Sequence, residues 1–428
     1  MNKIYNILIF PGGTEIGLEI YQALRWNKDI NLFSAGSKVS NHAPYVFKHH
    51  FVIPSVHEKN WIEKLNIIVD KYKIDYIYPA YDEIIYQIAV NRKKIHCPVI
   101  LPSTNTCKLT RSKMQTYNKL SKVVPVPRLY STADQIDKWP VFLKPDRGQG
   151  SERTFLARDI TEYQSIKKRN PDLITLEYLS GPEYTIDCFS NNKHELLFAG
   201  GRERVRTKSG ISMNSRMISN PAWKNYASKI SKALDLKGAW FFQMKRNSKG
   251  VLKLLEVAPR IGGTMATHRV LGVNFPLLSI YVHDGKPVKI LSNKYKVTID
   301  RSLCNKYKVN LTYKTVYLDF DDTLIINDKV NTSLLSFVYQ CKEKGKKIIL
   351  ITKSRNNIYV QLKKYFISPS LFDEIYTLKQ NDDKFKLIKP KEAIFIDDSF
   401  SERTNVDKKN KIPTFDCSMI EALIDNKI

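Results

Sequence analysis

Apolar residues alternate between short strand-like runs and helical patterns along most of the chain. Residues Ile4 to Phe10 form an apolar strand, Pro11-Gly12-Gly13 follows as a turn, and a helical pattern continues through Leu24. Another strand-like run ends at Pro79 and leads into the polar loop Tyr81-Asp82-Glu83. This repetition of strand, turn and helix predicts α/β architecture throughout. Ligands of open α/β sheets bind at loops that leave the carboxyl ends of strands.

Changes in this pattern divide the chain into four segments. A chain of 428 residues is too long for one ordinary core. The first unit spans residues 1–110, and the second spans 111–295 and begins with a helix after Arg111-Ser112-Lys113. Segment 296–314 is basic and lacks a clear period, so we interpret it as a linker. The last unit, 315–428, opens with a strand that starts at Thr315.

Charge and composition narrow the classes of partner. The net charge of +27 indicates a polyanionic partner, or only a lysine-rich composition spread along the chain. We find no basic tract interleaved with aromatic residues, so the sequence favours an anionic substrate over nucleic acid. It has no apolar run of about 18 residues and no secretory leader, so we expect a cytoplasmic protein without a membrane span. The six dispersed cysteines predict neither a zinc site nor disulfides.

A strand in the second unit delivers a lysine to a glycine-containing loop. Trp139 to Pro145 is strand-like and includes Lys144, and Asp146-Arg-Gly-Gln-Gly-Ser151 follows it. Glycines let backbone amides approach a phosphate closely, and a lysine supplies a compact positive charge. Taken alone, the same pattern is also typical of a β-hairpin turn with a surface lysine.

Two further stretches carry groups suited to a nucleotide and its metal. Glu177-Tyr178-Leu179 could present backbone groups and apolar faces to an adenine, and Glu183 could accept hydrogen bonds from ribose hydroxyls. Adjacent strands would bring Gln243 and Glu256 together as oxygen ligands of Mg²⁺. Arg260 would then lie beside a transferred phosphate, or form a structural ion pair with Glu256.

As an ordered set, these pieces resemble the ATP-grasp superfamily, and most closely its carbamoyl-phosphate-synthase-like amide ligases. The resemblance covers roughly residues 1 to 290. It implies a Rossmann-like pre-ATP-grasp domain followed by an ATP-grasp fold, with ATP as cosubstrate and Mg²⁺, or else Mn²⁺, as the metal. By this resemblance the residues at the nucleotide are Lys113, Lys144, Gly148, Gly150, Ser151, Glu177, Tyr178, Leu179 and Glu183. The metal ligands are Gln243 and Glu256, Arg260 steadies an acyl phosphate, and Arg202 and Arg204 face the substrate.

One position departs from the pattern of the superfamily. Where the superfamily usually reads Glu-x-Asn-Pro-Arg, Ala258 occupies the asparagine position. The resemblance therefore implies that one metal ligand is missing. The second Mg²⁺ would then bind more weakly or through another group.

Acidic residues follow two strands of the last unit. Asp319-Phe-Asp321-Asp follows one apolar strand, and Asp397-Asp398 follows another. Such clusters of like charge persist when a cation neutralises them. A strand that ends at Thr352 lies between them in the chain, and Lys384 opens a short helical stretch. Ser399 and Glu402 match a capping box, which predicts the start of a helix there.

This second set resembles the haloacid-dehalogenase superfamily over residues 315–428. The resemblance implies a three-layer α/β/α domain in which Asp319 is the nucleophile and Asp321 the general acid and base. Thr352 and Lys384 would hold the phosphoryl group, with Lys386 as the second choice for the lysine. The metal would lie on Asp319, Asp321 and Asp398, supported by Asp397 or Glu402. Asp321 favours a phosphatase over a dehalogenase.

Together the two resemblances predict a bifunctional enzyme. One part would join small-molecule carboxylate and amine substrates at the expense of ATP, and the other would remove phosphate from a related metabolite. Two alternatives stay open. Ala258 motivates a phosphatase with an ATP-grasp nucleotide-sensing module, and the charge of +27 motivates a nucleic-acid-binding protein. The sequence leaves the substrates and the oligomeric state open.

Overall fold

The chain divides into two units, and each has its own sheets. The computed structural model describes residues 3–148, 150, 152–353, 356–389, 391–425 and 427. Its contacts separate Met1–Leu303 from Cys304–Ile428. Over the described ranges, every helix is too short or too polar to cross a lipid bilayer.

The first unit begins with a four-stranded parallel sheet in the order β3-β2-β1-β4. Its strands are β1 (Tyr5–Phe10), β2 (Ile30–Gly36), β3 (His49–Val52) and β4 (Tyr76–Pro79). The helices of this part are α1 (Glu15–Leu24), α2 (Ala43–Val46), α3 (Trp61–Lys71), α4 (Asp82–Val90) and α5 (Thr104–Arg111). Thr14 starts α1 where the sequence predicts a helix, because its side chain accepts a hydrogen bond from the Gly17 backbone N–H at 3.0 Å. The predicted Rossmann-like arrangement of strand, turn and helix is therefore present.

Two antiparallel sheets follow in the same unit. The smaller, in the order β5-β8-β6-β7, contains β5 (Leu129–Tyr130), β6 (Val141–Pro145), β7 (Phe155–Ala157) and β8 (Leu173–Glu177). The larger, in the order β13-β12-β9-β10-β11-β14, contains β9 (Glu183–Ser190), β10 (Leu196–Lys208), β11 (Ile211–Ile218), β12 (Gly238–Arg246), β13 (Leu252–Ala258) and β14 (Thr298–Asp300). The helices are α6 (Lys113–Leu120), α7 (Ile160–Arg169), α8 (Ala222–Ala233), α9 (Ala266–Arg269) and α10 (Phe275–His283). A single-turn 3₁₀ helix occurs at Arg92–Lys94 and another at Ala133–Gln135.

Strand β14 contradicts the interpretation of residues 296–314 as a linker throughout. Asn214 pairs with Asp300 and Arg216 with Thr298 in antiparallel register, so β14 is the edge strand of the larger sheet. The backbone N–H of Arg301 then donates to the Met213 carbonyl at 2.8 Å and extends the pairing. The segment carries no apolar alternation because two of its three residues are exposed at a sheet edge.

The second unit is built on a five-stranded parallel sheet in the order β19-β18-β15-β20-β21. Its strands are β15 (Thr315–Leu318), β16 (Ile325–Ile326), β17 (Lys329–Val330), β18 (Lys347–Thr352), β19 (Glu374–Thr377), β20 (Ala393–Ile396) and β21 (Thr414–Phe415), of which β16 and β17 form a separate short hairpin. The helices are α11 (Thr332–Glu343), α12 (Ile358–Lys364) and α13 (Phe400–Asn410), with 3₁₀ turns at Pro369–Leu371, Lys384–Lys386 and Cys417–Ala422.

Alternation along these strands buries both faces of the parallel sheet. Val316 and Leu318 pack in a core with residues of α11 and α12, and Tyr317 packs in a second core with Val406 of α13. The second unit therefore has three layers, helix, sheet and helix, as the sequence predicts. The predicted helix start at Ser399 is also present, because its side chain accepts from the Glu402 backbone N–H at 3.4 Å.

Candidate active sites

One cleft in the first unit collects side chains from the loops and strands of all three of its sheets. Its volume is about 820 Å³. Ser151 lies outside the described residues. All the other residues that the sequence predicts at the nucleotide, metal or substrate in this unit line the cleft: Lys113, Lys144, Gly148, Gly150, Glu177, Tyr178, Leu179, Glu183, Arg202, Arg204, Gln243, Glu256 and Arg260.

Lys144, on β6, is a buried cation. Its side chain donates from Nζ to the Tyr117 hydroxyl at 3.2 Å, and that hydroxyl donates to the Leu255 carbonyl at 2.6 Å. Burial, followed by the positive charge of Lys113, lowers the pKa of Lys144 to about 7, although Glu256 acts in the opposite direction. A bound polyanion would restore the charged form, because opposite charge nearby stabilises it.

Lys113, the first residue of α6, fastens the glycine-containing loop to that helix. Its Nζ donates to the carbonyls of Asp146 at 3.3 Å and Gly148 at 3.2 Å. The backbone N–H of Met114 donates to the Asp146 carboxylate at 2.8 Å. Burial lowers the pKa of Lys113, and the Glu256 charge opposes this change. Lys113 therefore contacts the loop directly, and the charges of Lys113, Lys144 and Glu256 influence one another.

The turn between β10 and β11 contacts the same loop. Gly150 and Gly210 both have positive φ, at +64° and +72°. A Cβ atom built on Gly210 would lie 2.4 Å from the Gly150 carbonyl carbon, closer than any ordinary contact. Glycine at this turn is therefore required both by the backbone conformation and by the approach of the two chains.

The two glutamates predicted at adenine and ribose both have basic partners. The Glu177 carboxylate accepts from the Arg128 backbone N–H at 3.2 Å and lies 3.3 Å from Lys253 Nζ. Glu183 lies 2.8 Å from a guanidinium nitrogen of Arg204. Arg204 lines the cleft while paired with Glu183, and its expected place at the substrate stays a prediction.

Gln243 and Glu256 are direct partners across β12 and β13, as the sequence predicts. Among the described residues, no hydrogen bond or ion pair engages either side chain. An amide oxygen and a carboxylate that line the same cleft are oxygen donors of the kind that Mg²⁺ prefers, so the pair fits that ion. Ala258, by contrast, is buried in an apolar cluster with Phe241 and Ile261, and contributes no ligand.

Arg260 pairs with a partner that the sequence did not indicate. Its guanidinium donates two hydrogen bonds to the carboxylate of Asp82, at 2.6 and 2.7 Å. The alternative of an ion pair with Glu256 is therefore wrong. Burial raises the pKa of Asp82, but Arg260 outweighs it and holds the pKa below its ordinary value. Asp82 is the first residue of α4, so this contact joins the parallel sheet to the cleft.

Arg202 is also paired within the protein. It donates to both carboxylate oxygens of Asp187, at 2.6 and 3.1 Å, and the same carboxylate lies 3.2 Å from His268. All three side chains are buried. Arg202 borders the cleft and is paired with Asp187 at the same time, so its expected place at the substrate stays a prediction.

The second unit has a separate cluster of carboxylates at the carboxyl ends of β15 and β20. Asp319, Asp397 and Asp398 each offer an oxygen, and these oxygens lie within 4.8 Å of one another. Lys384 Nζ donates to Asp319 at 2.6 Å and to Asp397 at 2.7 Å. The Thr323 hydroxyl lies 3.1 Å from a carboxylate oxygen of Asp398. The same hydroxyl accepts a hydrogen bond from the backbone N–H of Asp398 at 2.9 Å. Asp319 and Asp397 lie 65 and 13 positions from Lys384 in the chain. The neighbouring parallel strands β15 and β20 bring both carboxylates to this one lysine.

Burial sets the electrostatics of this cluster. It raises the pKa of Asp319, as does the Asp397 charge, while Lys384 acts in the opposite direction. The pKa of Lys384 is raised because the two carboxylates outweigh its burial. The ammonium group of Lys384 therefore already supplies positive charge between Asp319 and Asp397.

The remaining predicted residues of this unit take different positions around the cluster. Thr352 donates to the Asp321 carboxylate at 3.4 Å. Lys386 is exposed and pairs with Asp383 at 2.9 Å, so Lys384 is the lysine that reaches the cluster. Glu402 forms an ion pair with Lys353.

The family match to known proteins lies within the first unit. A model of the family described as "ATP-grasp in the biosynthetic pathway with Ter operon" matches residues 169–302. No protein of curated function matches the chain in sequence.

Solved structures resemble the chain more widely. The biotin carboxylase domain of 2-oxoglutarate carboxylase from Hydrogenobacter thermophilus, solved with MgADP, ADP and bicarbonate, has a TM-score of 0.58 at 15% identity and covers 68% of this chain and 72% of its own. L-amino acid ligase from Bacillus licheniformis has a TM-score of 0.55 at 15% identity, with coverages of 68% and 76%. N5-carboxyaminoimidazole synthetase from Staphylococcus aureus, complexed with ADP, has a TM-score of 0.55 at 17% identity, with coverages of 67% and 79%.

The first unit has the ATP-grasp fold. Its cleft contains four charged residues that sequence reasoning missed, namely Glu15, Glu152, Lys245 and Arg301. Lys245 follows Gln243 by two positions on β12, so strand alternation alone could have placed both on one face of the ATP-grasp sheet. Glu15 begins an ordinary helix, and Arg301 lies in the segment interpreted as a linker. Neither residue belongs to a sequence motif that would predict a position in the cleft.

Proposed function

We propose that the first unit is an ATP-dependent ligase that joins a carboxylate to an amine through an acyl phosphate. One observation carries the proposal: Lys113, Lys144, the Gln243–Glu256 pair and Arg260 line a single cleft of an ATP-grasp fold. Two lysines suit the phosphates of ATP, an amide and a carboxylate suit its metal, and an arginine suits the phosphoryl group in transit.

Positioning and charge neutralisation account for the chemistry. The carboxylate attacks the γ-phosphate of ATP and ADP leaves, and the amine then displaces phosphate from the acyl phosphate to form the amide. Lys113 and Lys144 hold the phosphates, and the glycine-containing loop packs against them. Arg260, held by Asp82, steadies the charge on the oxygens around the transferred phosphorus. Gln243 and Glu256 would hold Mg²⁺, which offsets phosphate charge when bound.

The absence of a ligand at Ala258 favours one rival reading, a nucleotide sensor that binds ATP without turning it over. The ligase and the sensor differ in a direct measurement. ADP release from ATP and Mg²⁺ would be followed with pooled carboxylates, bicarbonate included, each with and without pooled amines. We expect ADP to appear only when a suitable acid is present, and the Lys144→Ala variant to lose it. ATP binding with no ADP from any pool, sugar acids and phosphorylated acids included, would favour the sensor.

For the second unit we propose a phosphatase. Asp319 would attack the phosphorus of a phosphate monoester to give an aspartyl phosphate, and Asp321 would protonate the departing oxygen and later activate water. Lys384 and Thr352 would hold the phosphoryl group. The contact of Lys384 with both Asp319 and Asp397 supports this proposal. The three clustered carboxylates fit a divalent cation, and Mg²⁺ bound there would reduce repulsion between the nucleophile and the phosphate.

Hydrolysis of p-nitrophenyl phosphate tests the second proposal. We expect Mg²⁺-dependent hydrolysis in the full chain, with loss in Asp319→Asn and retention in Lys386→Gln, a nearby exposed lysine on the same turn. Activity that survives in Asp319→Asn would remove Asp319 as the nucleophile. Hydrolysis absent from the unaltered chain with this ester and with a panel of sugar phosphates would contradict a phosphatase.

A further inference from the structure

Two opposite charges in the ATP-grasp cleft have neither a hydrogen bond nor an ion pair within the described part of the first unit, although Glu15 acts on the pKa of Arg260 and Arg301 on that of Glu19 through their charges. Glu15 and Arg301 both line the cleft. Neither side chain takes part in a hydrogen bond, or in an ion pair within 4.0 Å, with any described residue. A charged side chain that borders a cavity and lacks a partner is a candidate for ligand recognition, because desolvation by a bound ligand costs free energy unless the charge is met.

The neighbouring charged side chains each have an ion-pair partner within the protein. Arg260 is paired with Asp82, and Arg202 is paired with Asp187. Glu19, one helical turn after Glu15, is paired with Arg269 at 2.7 Å. Glu15 and Arg301 differ from them because no described ion pair engages either side chain.

The backbone fixes both residues. Glu15 is the first residue of α1, and the preceding Thr14 caps the helix and fixes where its backbone begins. Arg301 follows β14 directly, and its backbone N–H bonds to the Met213 carbonyl at 2.8 Å. Asp300, immediately before it, contacts Arg206 and Asn214 on the exposed side of the sheet. Because side chains alternate along a strand, Arg301 is directed to the other side, where the cleft lies.

Gly263 lies between the two charged side chains. A Cβ atom built there would lie 2.9 Å from a guanidinium nitrogen of Arg301 and 3.2 Å from Cγ of Glu15. Both side chains therefore approach the same glycine from within the cleft. A residue with a side chain at this position would intrude on the space that they share.

We propose that Glu15 and Arg301 form a subsite for a zwitterionic substrate, an amino acid whose acidic group binds Arg301 and whose ammonium group binds Glu15. The proposal rests on the ligase function proposed above and names the class of one of its two substrates. Arginine binds a carboxylate through two parallel hydrogen bonds, and a glutamate accepts from an ammonium group. A substrate with only one of these groups leaves the other residue desolvated and unpaired.

Measurements of amino-acid binding at equilibrium test this subsite without requiring that the protein turn over ATP. The full chain, saturated with ADP and Mg²⁺, would be titrated calorimetrically with the protein amino acids. Each would be compared with its 2-hydroxy acid, which lacks the ammonium group, and its amide, which lacks the acid. We expect at least one amino acid to bind, and both analogues to bind about ten- to a hundredfold more weakly.

Substitutions test whether amino-acid binding depends on Glu15 and Arg301. Arg301→Gln and Glu15→Gln should each weaken amino-acid binding about ten- to a hundredfold and leave ADP affinity unchanged. Gly263→Ala, which keeps both charges, should also weaken it. Arg206→Gln alters an arginine on the exposed side of the same sheet and should have no effect.

Three results would overturn the subsite: no amino acid binds, a 2-hydroxy acid binds as well as its amino acid, or the Gln variants bind like the unaltered chain. The ligase is judged by ADP release instead. Amino-acid binding without ADP release from any acid would contradict the ligase and leave the binding subsite standing.

Discussion

At the scale of single residues, the predictions that succeeded depend on short stretches of chain, and those that failed depend on distant ones. Lys144 could be predicted to line the cleft because a strand and a glycine-containing loop adjoin it. The partner of Arg260 could not, since Asp82 lies 178 positions earlier and pairing between distant segments leaves no local pattern. The sequence likewise could not predict that Arg301 lacks an ion pair, because this depends on which carboxylates pair with the other arginines in the folded chain.

The lowered pKa of Lys144 gives a prediction about protons. In the unliganded protein this lysine has a pKa of about 7, so at pH 8 it is mostly neutral. The phosphates of ATP favour the charged form and raise the pKa towards its ordinary value, so binding at pH 8 takes up a proton. ATP affinity should therefore fall as the pH rises above 7, by up to about tenfold per pH unit.

Calorimetry at pH 8 in two buffers of different ionisation enthalpy measures that proton directly. The observed binding enthalpy should differ between the buffers for the unaltered chain. Lys144→Met keeps the length of the side chain but cannot titrate, and its residual binding should show a smaller difference, since only Lys113, whose pKa is also lowered, can then take up a proton. A binding enthalpy that is the same in both buffers for the unaltered chain would contradict the lowered pKa.

At the scale of elements, buried strands with clear apolar alternation were predicted well, and a polar edge strand was not. The pairing of Gln243 with Glu256 followed from two apolar strands close in sequence. Strand β14 has three residues, two of them exposed, and pairs with β11 more than 80 positions earlier. Edge strands have one unpaired side and need little apolar character, so their sequences resemble loops.

The contact between the β10–β11 turn and the glycine-containing loop can be tested with a matched pair of glycines. Gly210→Ala introduces a Cβ 2.4 Å from the Gly150 backbone at a φ of +72°. Gly250→Ala imposes a similar φ of +77° where no atom lies within 4 Å. Both should lose about 1 kcal/mol of stability from the left-handed conformation. We expect only Gly210→Ala also to weaken ATP binding, by about tenfold, because it displaces the loop.

Titration of each glycine variant with ATP, followed by tryptophan fluorescence or calorimetry, provides the comparison. Equal ATP affinity in the two variants would mean that the turn does not support the loop. In that case Gly210 would be required only by its backbone conformation.

At the scale of the whole molecule, the sequence predicts two kinds of α/β unit, and the structure contains two units with separate cores. The division at residue 303 differs from the predicted division because β14 belongs to the first unit. The ATP-grasp fold of that unit is supported by a family match within residues 169–302 and by similar solved structures. The chemistry proposed for the second unit rests on its own geometry.

Because each proposed site lies within one unit, variants should act on one activity at a time. In the full chain, Lys144→Ala should abolish acid-dependent ADP release and leave p-nitrophenyl phosphate hydrolysis within about twofold, as expected for independent sites. Asp319→Asn should do the reverse. Both activities would be assayed on the same preparations, with thermal unfolding as a check on folding. Loss of both activities in either folded variant would contradict independent sites.

The transfer of oxygen from the acid to phosphate tests the central claim most directly. The acid that supports ADP release would be labelled with ¹⁸O in its carboxylate and supplied with ATP, Mg²⁺ and amine to the Asp319→Asn variant, so that the second unit adds no oxygen from water. If the acid attacks the γ-phosphate and the amine then expels phosphate, each phosphate released carries one labelled oxygen in mass spectra. Phosphate without label, formed together with ADP, would mean that water rather than the carboxylate accepts the phosphoryl group, and would contradict the ligase.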